Sequence, residues 1–398
     1  MSTRVPGTPA GCERIAYVVV HREDAAFSDV YGGGGNIIGL DCHLVRPVGQ
    51  PSDTVYVFMH PTGGGMYLPI VPGLARAGHH VIWANSRYRG VDSALIMEKV
   101  AADLGMAIRD AKERLGYSKV VLMGWSGGGS LSMWYQSVAE SGTGIVDTAA
   151  GDPYEVEPLN MPPADVIVMS AAHISRHGIL TEWLDPSITD ESRPFERATA
   201  LNLYDPGNPA RPPYSADFVA EFRAAQVARN RRITSWVQQT LDEVRASRMP
   251  MAERAFTVHG TMADPRWLDT TIEPNGRPAN HCYLGVPEVV NDGPVGLARF
   301  STLRSWLSQW SYDHARADAL VAAAGVSVPA MVLGAGCDDA CTPSHTERLH
   351  QALLARPAGS VTYKHVVAGA GHYFGGPDGR QHLAEAVEQV AAFAQANL

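Results

Sequence analysis

The segment Gly124-Trp125-Ser126-Gly127-Gly128 sets a serine among glycines directly after the apolar run KVVLM. Between a strand and a helix, a serine in the pattern G-x-S-x-G sits in a strained turn, where side chains two positions away would collide with neighbouring backbone. Gly124 and Gly128 would remove those collisions. The turn also aims the first N–H groups of the helix at a reacting carbonyl. We therefore predict that Ser126 is a nucleophile and that Gly127 donates one oxyanion hydrogen bond; a purely structural glycine-rich turn is the alternative.

A serine hydroxyl needs a base to take its proton, and the sequence contains 15 histidines. Most of them, His79 and His345 among them, lie at a strand start or on a surface-type helix, where a solvated imidazole is expected. His372 differs because it lies in the glycine-rich segment AGAGHYFGG, after the last predicted strand and before the C-terminal helix. We predict that His372 is the base.

The imidazole in turn needs a carboxylate that fixes its tautomer. The segment CDDACTP, which follows the predicted strand VPAMVLGAG, supplies Asp338 and Asp339. We prefer Asp339, the acid of a G-x-x-D-x-x-x-P arrangement that starts at Gly336, and keep Asp338 as the alternative. The chain order Ser126, Asp339, His372 is the order in which hydrolases with this serine turn carry their triad.

A second oxyanion donor is expected from the loop after the third strand, MHPTGGGMY. Pro61 has no N–H, so Thr62 is the first predicted donor and Gly63 the second. The same glycines could bind phosphate, but the sequence contains neither a Walker-type motif nor a G-x-G-x-x-G with an acidic partner. The segment YGGGG at 31–35 is interpreted as a turn between the first two strands.

Short apolar runs bounded by Gly, Pro or Asn alternate with helical patterns, which indicates a doubly wound, mostly parallel α/β sheet. The predicted strands are 14–20, 36–45, 54–60, 79–85, 119–124, 164–170, 328–336 and 361–369. The predicted helices between and after them are 67–77, 95–115, 128–140, 344–355 and 380–397.

The alternation stops between about 172 and 310, where the pattern shows no convincing buried strand. This segment is rich in proline and acid at its start and then predicts a long helix from Ala216 to about Arg248. It also carries several aromatic side chains that would suit a lid over an apolar cavity, although aromatic residues at helical spacing more often pack a lid's own core. We predict an inserted, mainly helical cap at 172–310 between core segments 1–171 and 311–398.

Composition excludes several classes of protein. The chain has 398 residues, 45% of them hydrophobic and 18% charged, and a net charge of −9, so a nucleic-acid partner is disfavoured. Its longest apolar runs fall short of the ~18 residues of a membrane span, and the N-terminus lacks a signal-type apolar core. The five cysteines form no CxxC pair or metal quartet, so we expect reduced thiols in a cytoplasmic protein. A local disulfide between Cys337 and Cys341 is a less favoured alternative.

At residues 14–171 and 311–398 the chain resembles the α/β-hydrolase superfamily. The matching residues are the serine turn around Ser126, the loop His60-Pro61-Thr62-Gly63, Asp339 and His372. The resemblance implies an eight-stranded sheet with helices on both faces and a cap inserted after the sixth strand. The chain departs from the commoner pattern by carrying His60-Pro61 where many members have His-Gly, and its insertion is longer than usual.

This resemblance implies two-step acyl transfer through an acyl-enzyme, with neither a metal nor an organic cofactor. We expect a serine esterase that hydrolyses a fairly bulky, apolar or aromatic small-molecule ester or lactone. Alternatives on the same triad are an acyltransferase similar to homoserine acetyltransferases, a peptidase and a carbon–carbon hydrolase. A ligand receptor on a retained scaffold is less favoured. The sequence leaves open a homodimer.

Overall fold

The computed structural model describes residues 8–23, 27–28, 30, 36–357 and 359–398. Within them the strands are β1 Cys12–Arg22, β2 Ile37–Pro47, β3 Thr54–Phe58, β4 His80–Ala84, β5 Lys119–Ser126, β6 Ile145–Asp147, β7 Pro153–Val156, β8 Val166–Ala172, β9 Ala255–Thr257, β10 Phe300–Thr302, β11 Ala330–Ala335 and β12 Thr362–Val367. The α-helices are α1 Ile70–Arg76, α2 Met97–Glu113, α3 Gly127–Ser141, α4 Arg176–Trp183, α5 Ala216–Ser247, α6 Pro265–Leu268, α7 Pro287–Asp292, α8 Leu303–Ser305, α9 Ala319–Ala322, α10 Pro343–Leu354 and α11 Gly379–Asn397.

Eight strands form one sheet in the order β1-β2-β4-β3-β5-β8-β11-β12. Strand β2 runs antiparallel to both of its neighbours, and the pairs from β4 to β12 are parallel. All eight strands and the five helices predicted outside the insertion are present. The segment 31–35, predicted as a turn, lies outside the described residues.

Both faces of the sheet are covered, which explains why its central strands are apolar at successive positions. Val55 and Val57 of β3 pack in one cluster with α2 and α3, whereas Tyr56 and Phe58 pack on the other face with α1 and α11. The parallel strands all end at one edge of the sheet. The loops that follow β3, β5, β8, β11 and β12 therefore meet there, which is where ligands bind in open α/β sheets.

Between β8 and β11 the chain forms mostly helices and loops. The long predicted helix is present as α5, Ala216–Ser247, and Ser215 caps its first turn by accepting from the Phe218 N–H. Two short strands are also present, β9 and β10, which form a small antiparallel ribbon. Most of their residues are exposed or half-buried, which agrees with the prediction of no buried strand in this segment. Each has only three residues, too few for a periodic pattern to show. The boundaries of the cap, 172–310, stay a prediction.

The structure also bears on the predictions about membrane-spanning segments and disulfides. In the part of the chain that the structure describes, no helix combines the length and apolar character needed to cross a membrane. All five cysteines lie in that part, and none forms a disulfide.

Candidate active site

The serine turn has the strain that its sequence predicts. Strand β5 ends at Ser126 and helix α3 begins at Gly127. Ser126 adopts φ 52° and ψ −126°, a conformation that a non-glycine residue rarely occupies. A Cβ atom on Gly124 would lie 2.6 Å from the carbonyl oxygen of Gly128, and one on Gly128 would lie 2.5 Å from that of Met59. The two glycines are therefore required by the backbone around the serine.

His372 lies against this serine. Its Nε2 atom is 3.1 Å from Ser126 Oγ, and the residue is buried, with 6% of its surface exposed. The loop that carries His372 is held from two sides. The Trp125 indole Nε1–H donates to the His372 carbonyl at 3.1 Å, and the Cys337 N–H donates to the carbonyl of Ala370 at 2.7 Å. The second bond ties the histidine loop to the loop after β11.

The carboxylate that contacts His372 is Asp338, not the predicted Asp339. Asp338 Oδ2 lies 2.8 Å from His372 Nδ1. Its Oδ1 accepts the N–H groups of Ala340 and Cys341, each at 2.8 Å, and the side chain is fully buried. Three donors thus fix this carboxylate in one orientation, as an orienting acid requires.

Asp339 points away from His372 toward the inserted segment. Its Oδ2 lies 2.9 Å from His281 Nδ1, and its carbonyl accepts the Trp267 indole N–H at 2.8 Å. Burial, together with the neighbouring charge of Asp338, raises the pKa of Asp339 above its ordinary value. The two adjacent carboxylates therefore have different partners, His372 for Asp338 and His281 for Asp339.

Opposing effects act on the pKa of His372. Burial favours the neutral imidazole and lowers the pKa, but the charge and hydrogen bond of Asp338 favour the imidazolium and outweigh burial, so the net shift is upward from 6.5. A raised pKa means that His372 holds a proton more strongly than a free imidazole, which suits a base placed beside a serine hydroxyl.

The predicted oxyanion donors are arranged differently from expectation. Gly127 is the first residue of α3, so its N–H has no partner within the helix. The other two donors are engaged inside their own loop: the Gly63 N–H donates to the His60 carbonyl at 2.8 Å, and the Thr62 N–H donates to His60 Nδ1 at 3.3 Å. Gly63 has φ 67°, which allows this tight turn. Thr62 and Gly63 therefore line the cavity without presenting a free N–H in this conformation.

The same hydrogen bonds define the tautomer of His60. His60 Nδ1 lies 3.0 Å from Thr62 Oγ1 and 3.3 Å from the Thr62 nitrogen, whose N–H can only donate. When Nδ1 accepts from both groups of Thr62, the proton of the neutral ring is on Nε2. Burial, helped by the positive charge of Arg176, lowers the pKa of His60 to about 3. His60 Nε2 lies 3.0 Å from the position of a Cβ on Gly127. A neutral imidazole thus offers an N–H beside the first residue of α3, a role that the sequence did not reveal.

A cavity of about 220 Å³ opens over the serine. It is bordered by the loop after β3, the serine turn, the histidine loop and side chains from the inserted segment, among them Tyr283 and Trp310. Arg176, on α4, also lines it. The position of Arg176 depends on how the chain folds back after β8, and no local pattern predicts it.

Three potential metal ligands also meet here: the ligand atoms of Asp338, Cys341 and His372 lie within 4.8 Å of one another. However, the two ring nitrogens of His372 already contact Asp338 and Ser126. Burial also holds the pKa of the Cys341 thiol well above its ordinary value, which disfavours the thiolate that binds metals. The cluster suits proton transfer better than metal binding.

The strand order, the reversed β2, the serine turn after β5 and the helices on both faces define the α/β-hydrolase fold. Among solved structures, the chain is similar to the siderophore hydrolase EstB from Aspergillus fumigatus, at 12% sequence identity and a TM-score of 0.51, over 90% of this chain and 95% of that one. This likeness agrees with the fold.

Two other solved structures are similar at lower scores. The first is the esterase domain of a Rhodothermus marinus protein, with 12% identity and a TM-score of 0.46 over 96% of this chain and 98% of that chain. The second is Est1E from Butyrivibrio proteoclasticus, with 10% identity and a TM-score of 0.45 over 90% of this chain and 96% of that chain. Neither a scan against protein-family models nor a search of curated proteins matched the chain.

Proposed function

We propose that this protein is a serine hydrolase that cleaves a carboxylic ester or lactone through an acyl-enzyme. The observation that carries the proposal is the continuous hydrogen-bonded series from Ser126 Oγ to His372 at 3.1 Å and from His372 to Asp338 at 2.8 Å. The series lies at the carboxyl edge of the sheet and borders a cavity. Asp338 takes the orienting role in this proposal in place of Asp339.

The chemistry follows from the proton positions. Ser126 Oγ attacks the ester carbonyl carbon while His372 Nε2 takes the hydroxyl proton, and Asp338 stabilises the resulting imidazolium. The tetrahedral intermediate collapses by breaking the bond to the alcohol oxygen, which receives the proton from His372. Water then attacks the acyl-enzyme by the same route, releases the carboxylic acid and returns the proton to Ser126. No step requires a cofactor.

The oxyanion is assigned to the Gly127 N–H and the Nε2–H of His60. Because His60 stays neutral at any pH above about 3, it donates without adding a charge that would bind substrate and intermediate alike. Thr62 and Gly63, the donors predicted from the sequence, would have to leave their bonds with His60 before they could donate.

The cavity supports a compact acyl group. Its volume of about 220 Å³ is below the roughly 300–1,000 Å³ of sites for drug-sized ligands, and histidine, tyrosine and arginine side chains border it. The bulky or apolar ester expected from the sequence stays a prediction; a larger alcohol part would have to extend through the opening. The cytoplasmic location and the homodimer are likewise predictions from sequence alone.

The test of this function uses Ser126→Ala, which should abolish both turnover of an activated aryl ester and labelling by a fluorophosphonate. Ser132→Ala is the matched control, because Ser132 is equally buried in α3 but borders no part of the cavity. It should keep both properties. Persistent labelling of the Ser126→Ala protein would show that another residue is the nucleophile. Product analysis with added alcohols then separates hydrolysis from acyl transfer.

A further inference from the structure

The cavity contains a buried positive charge that the acyl-transfer steps do not use. Arg176 is the first residue of α4, and its side chain is 93% buried, with 7% exposed. Its Nη1 atom lies 3.2 Å from the position of a Cβ on Gly127, the residue after the nucleophile. The guanidinium is therefore within about 5 Å of the Gly127 Cα, adding a C–C bond of ~1.5 Å.

Two contacts hold the guanidinium in place. Nη2 donates to Asp92 Oδ2 at 3.1 Å, and the planar group stacks on the Trp310 ring at 4.3 Å from its centre. Neither contact is a hydrogen bond from Nη1, the guanidinium atom nearest to Gly127. The Nε–H is buried and has no hydrogen-bond partner in the described residues. Among the described residues the guanidinium thus donates to one carboxylate, and most of its five N–H donors are unused.

Burying a guanidinium with unused N–H donors costs free energy unless a ligand accepts hydrogen bonds from those donors. Burial lowers the pKa of Arg176, with Asp92 acting against that effect, but a guanidinium keeps its proton in a protein. A buried cation with unused donors loses hydration that a single oxygen contact does not replace. Asp92 is itself 31% exposed, so part of its charge is screened by water.

The groups around Arg176 leave it as the permanent cation of the cavity among the described residues. Burial keeps His60 and His173 neutral by lowering their pKa values, and burial raises the pKa of Tyr283, so its hydroxyl stays protonated. His372 carries a proton only transiently during the reaction and is then paired with Asp338. Asp92 also lines the cavity and pairs with Nη2, so an anion that enters would bind to the part of the guanidinium that Asp92 does not contact.

We propose that Arg176 binds a carboxylate on the substrate, so that the preferred esters are half-esters of short dicarboxylic acids or closely similar anionic esters. This inference rests on the proposed function of the Ser126 site. A planar carboxylate matches the guanidinium fork, which can donate two parallel hydrogen bonds. Because the guanidinium lies close to Gly127, only a few bonds can separate the carboxylate from the carbonyl that Ser126 attacks.

A different role for Arg176 would be to stabilise the oxyanion itself. The two roles differ in their dependence on substrate charge. Loss of an oxyanion donor slows neutral and anionic esters alike, whereas loss of a carboxylate partner slows only the anionic ester. Gly127 and His60 already supply two donors for the oxyanion, which favours the carboxylate role.

The experiment compares monomethyl succinate with methyl levulinate, in which an acetyl group of similar size replaces the carboxylate. Release of acid is followed in a pH-stat. The wild-type protein should prefer monomethyl succinate, and Arg176→Met should lower its kcat/KM about 10–100-fold, as expected for a hydrogen bond between charged groups, without slowing methyl levulinate. Arg231→Gln, an exposed arginine of α5 that pairs with Asp313, is the control and should change neither rate.

Arg176→Lys is a second variant for the case that Arg176→Met does not fold. It keeps the positive charge and most of the side-chain stem but loses the planar fork of the guanidinium. It should lose part of the preference for monomethyl succinate and none of the activity on methyl levulinate. Equal losses on both esters in the Arg176 variants would overturn the carboxylate role, as would a wild-type protein without preference for the anionic ester.

Binding separates this inference from the proposed function. Calorimetric titration of the Ser126→Ala protein with monomethyl succinate should give binding that the Ser126→Ala, Arg176→Met protein has lost. If the wild-type protein cleaves neither ester but the Ser126→Ala protein still shows this Arg176-dependent binding, the anion site stands and the hydrolase proposal fails. If esters are cleaved but Arg176 affects no binding, the hydrolase proposal stands and the anion site fails.

Discussion

Replacing Asp338 with Asn tests the geometry of the triad most directly. The carboxylate has two oxygens with separate tasks: Oδ1 accepts from the N–H groups of Ala340 and Cys341, and Oδ2 faces His372. In Asp338→Asn the amide oxygen must keep the Oδ1 position, because an NH2 group there would oppose two N–H donors. The NH2 group then faces His372 Nδ1.

The consequence is a change of tautomer. His372 Nδ1 must accept from the amide, so the proton of the neutral ring moves to Nε2, which can no longer accept the proton of Ser126. Loss of the correct tautomer in a serine triad costs about 10⁴-fold in kcat, or roughly 5 kcal/mol in activation free energy. The side chain keeps its volume and two of its hydrogen bonds, so stability should fall far less than activity.

The matched variant is Asp339→Asn, which changes the adjacent carboxylate in the same way. Asp339 contacts a half-exposed His281 instead of His372, so its loss removes no hydrogen bond to the base and should lower kcat by less than about 10-fold, the effect of one ordinary hydrogen bond. The assay is single-turnover acylation by an activated aryl ester, with urea unfolding as the stability control. A larger loss for Asp339→Asn than for Asp338→Asn would refute the assignment.

Three further outcomes are expected. The acid limb of kcat/KM should lie above pH 6.5, because His372 must be neutral to act and its pKa is raised; the limb should move to lower pH in Asp338→Asn, and a pH–rate profile measures both. Gly128→Ala should destabilise the fold by about 1–3 kcal/mol in urea unfolding, whereas Gly375→Ala, with open space around its Cβ position, should not. His60→Phe should lower kcat by roughly 10²–10³-fold without moving the acid limb, since the pKa of His60 is about 3; an unchanged kcat would remove His60 from the oxyanion site.

Sequence reasoning located the serine turn and the histidine because local rules determine both. Gly124 and Gly128 are required by the backbone of the turn around Ser126, so their spacing identifies the turn before any tertiary contact is known. The central strands of the sheet are equally local, because burial on both faces makes each of them a short apolar run between turn residues.

The choice between two adjacent acids is not local. Asp338 and Asp339 occupy the same loop, and the one that faces His372 is decided by the turn at Ala340 and Cys341 and by partners from the distant insertion. The same is true of the loop after β3, from which the sequence predicts oxyanion donors, because hydrogen bonds within His60–Gly63 occupy the N–H groups of Thr62 and Gly63. Arg176 reaches the site only through the path of the chain after β8.

The segment between β8 and β11 also contacts the backbone of Asp338 and Asp339. The Trp267 indole donates to the carbonyl of Asp339, and the Asn275 amide donates to that of Asp338 at 2.8 Å. Exchanging this segment for that of a protein with the same fold would therefore alter more than which molecules reach Ser126. It would also remove two of the bonds that keep the Asp338 carboxylate aligned with His372, so selectivity and rate would change together.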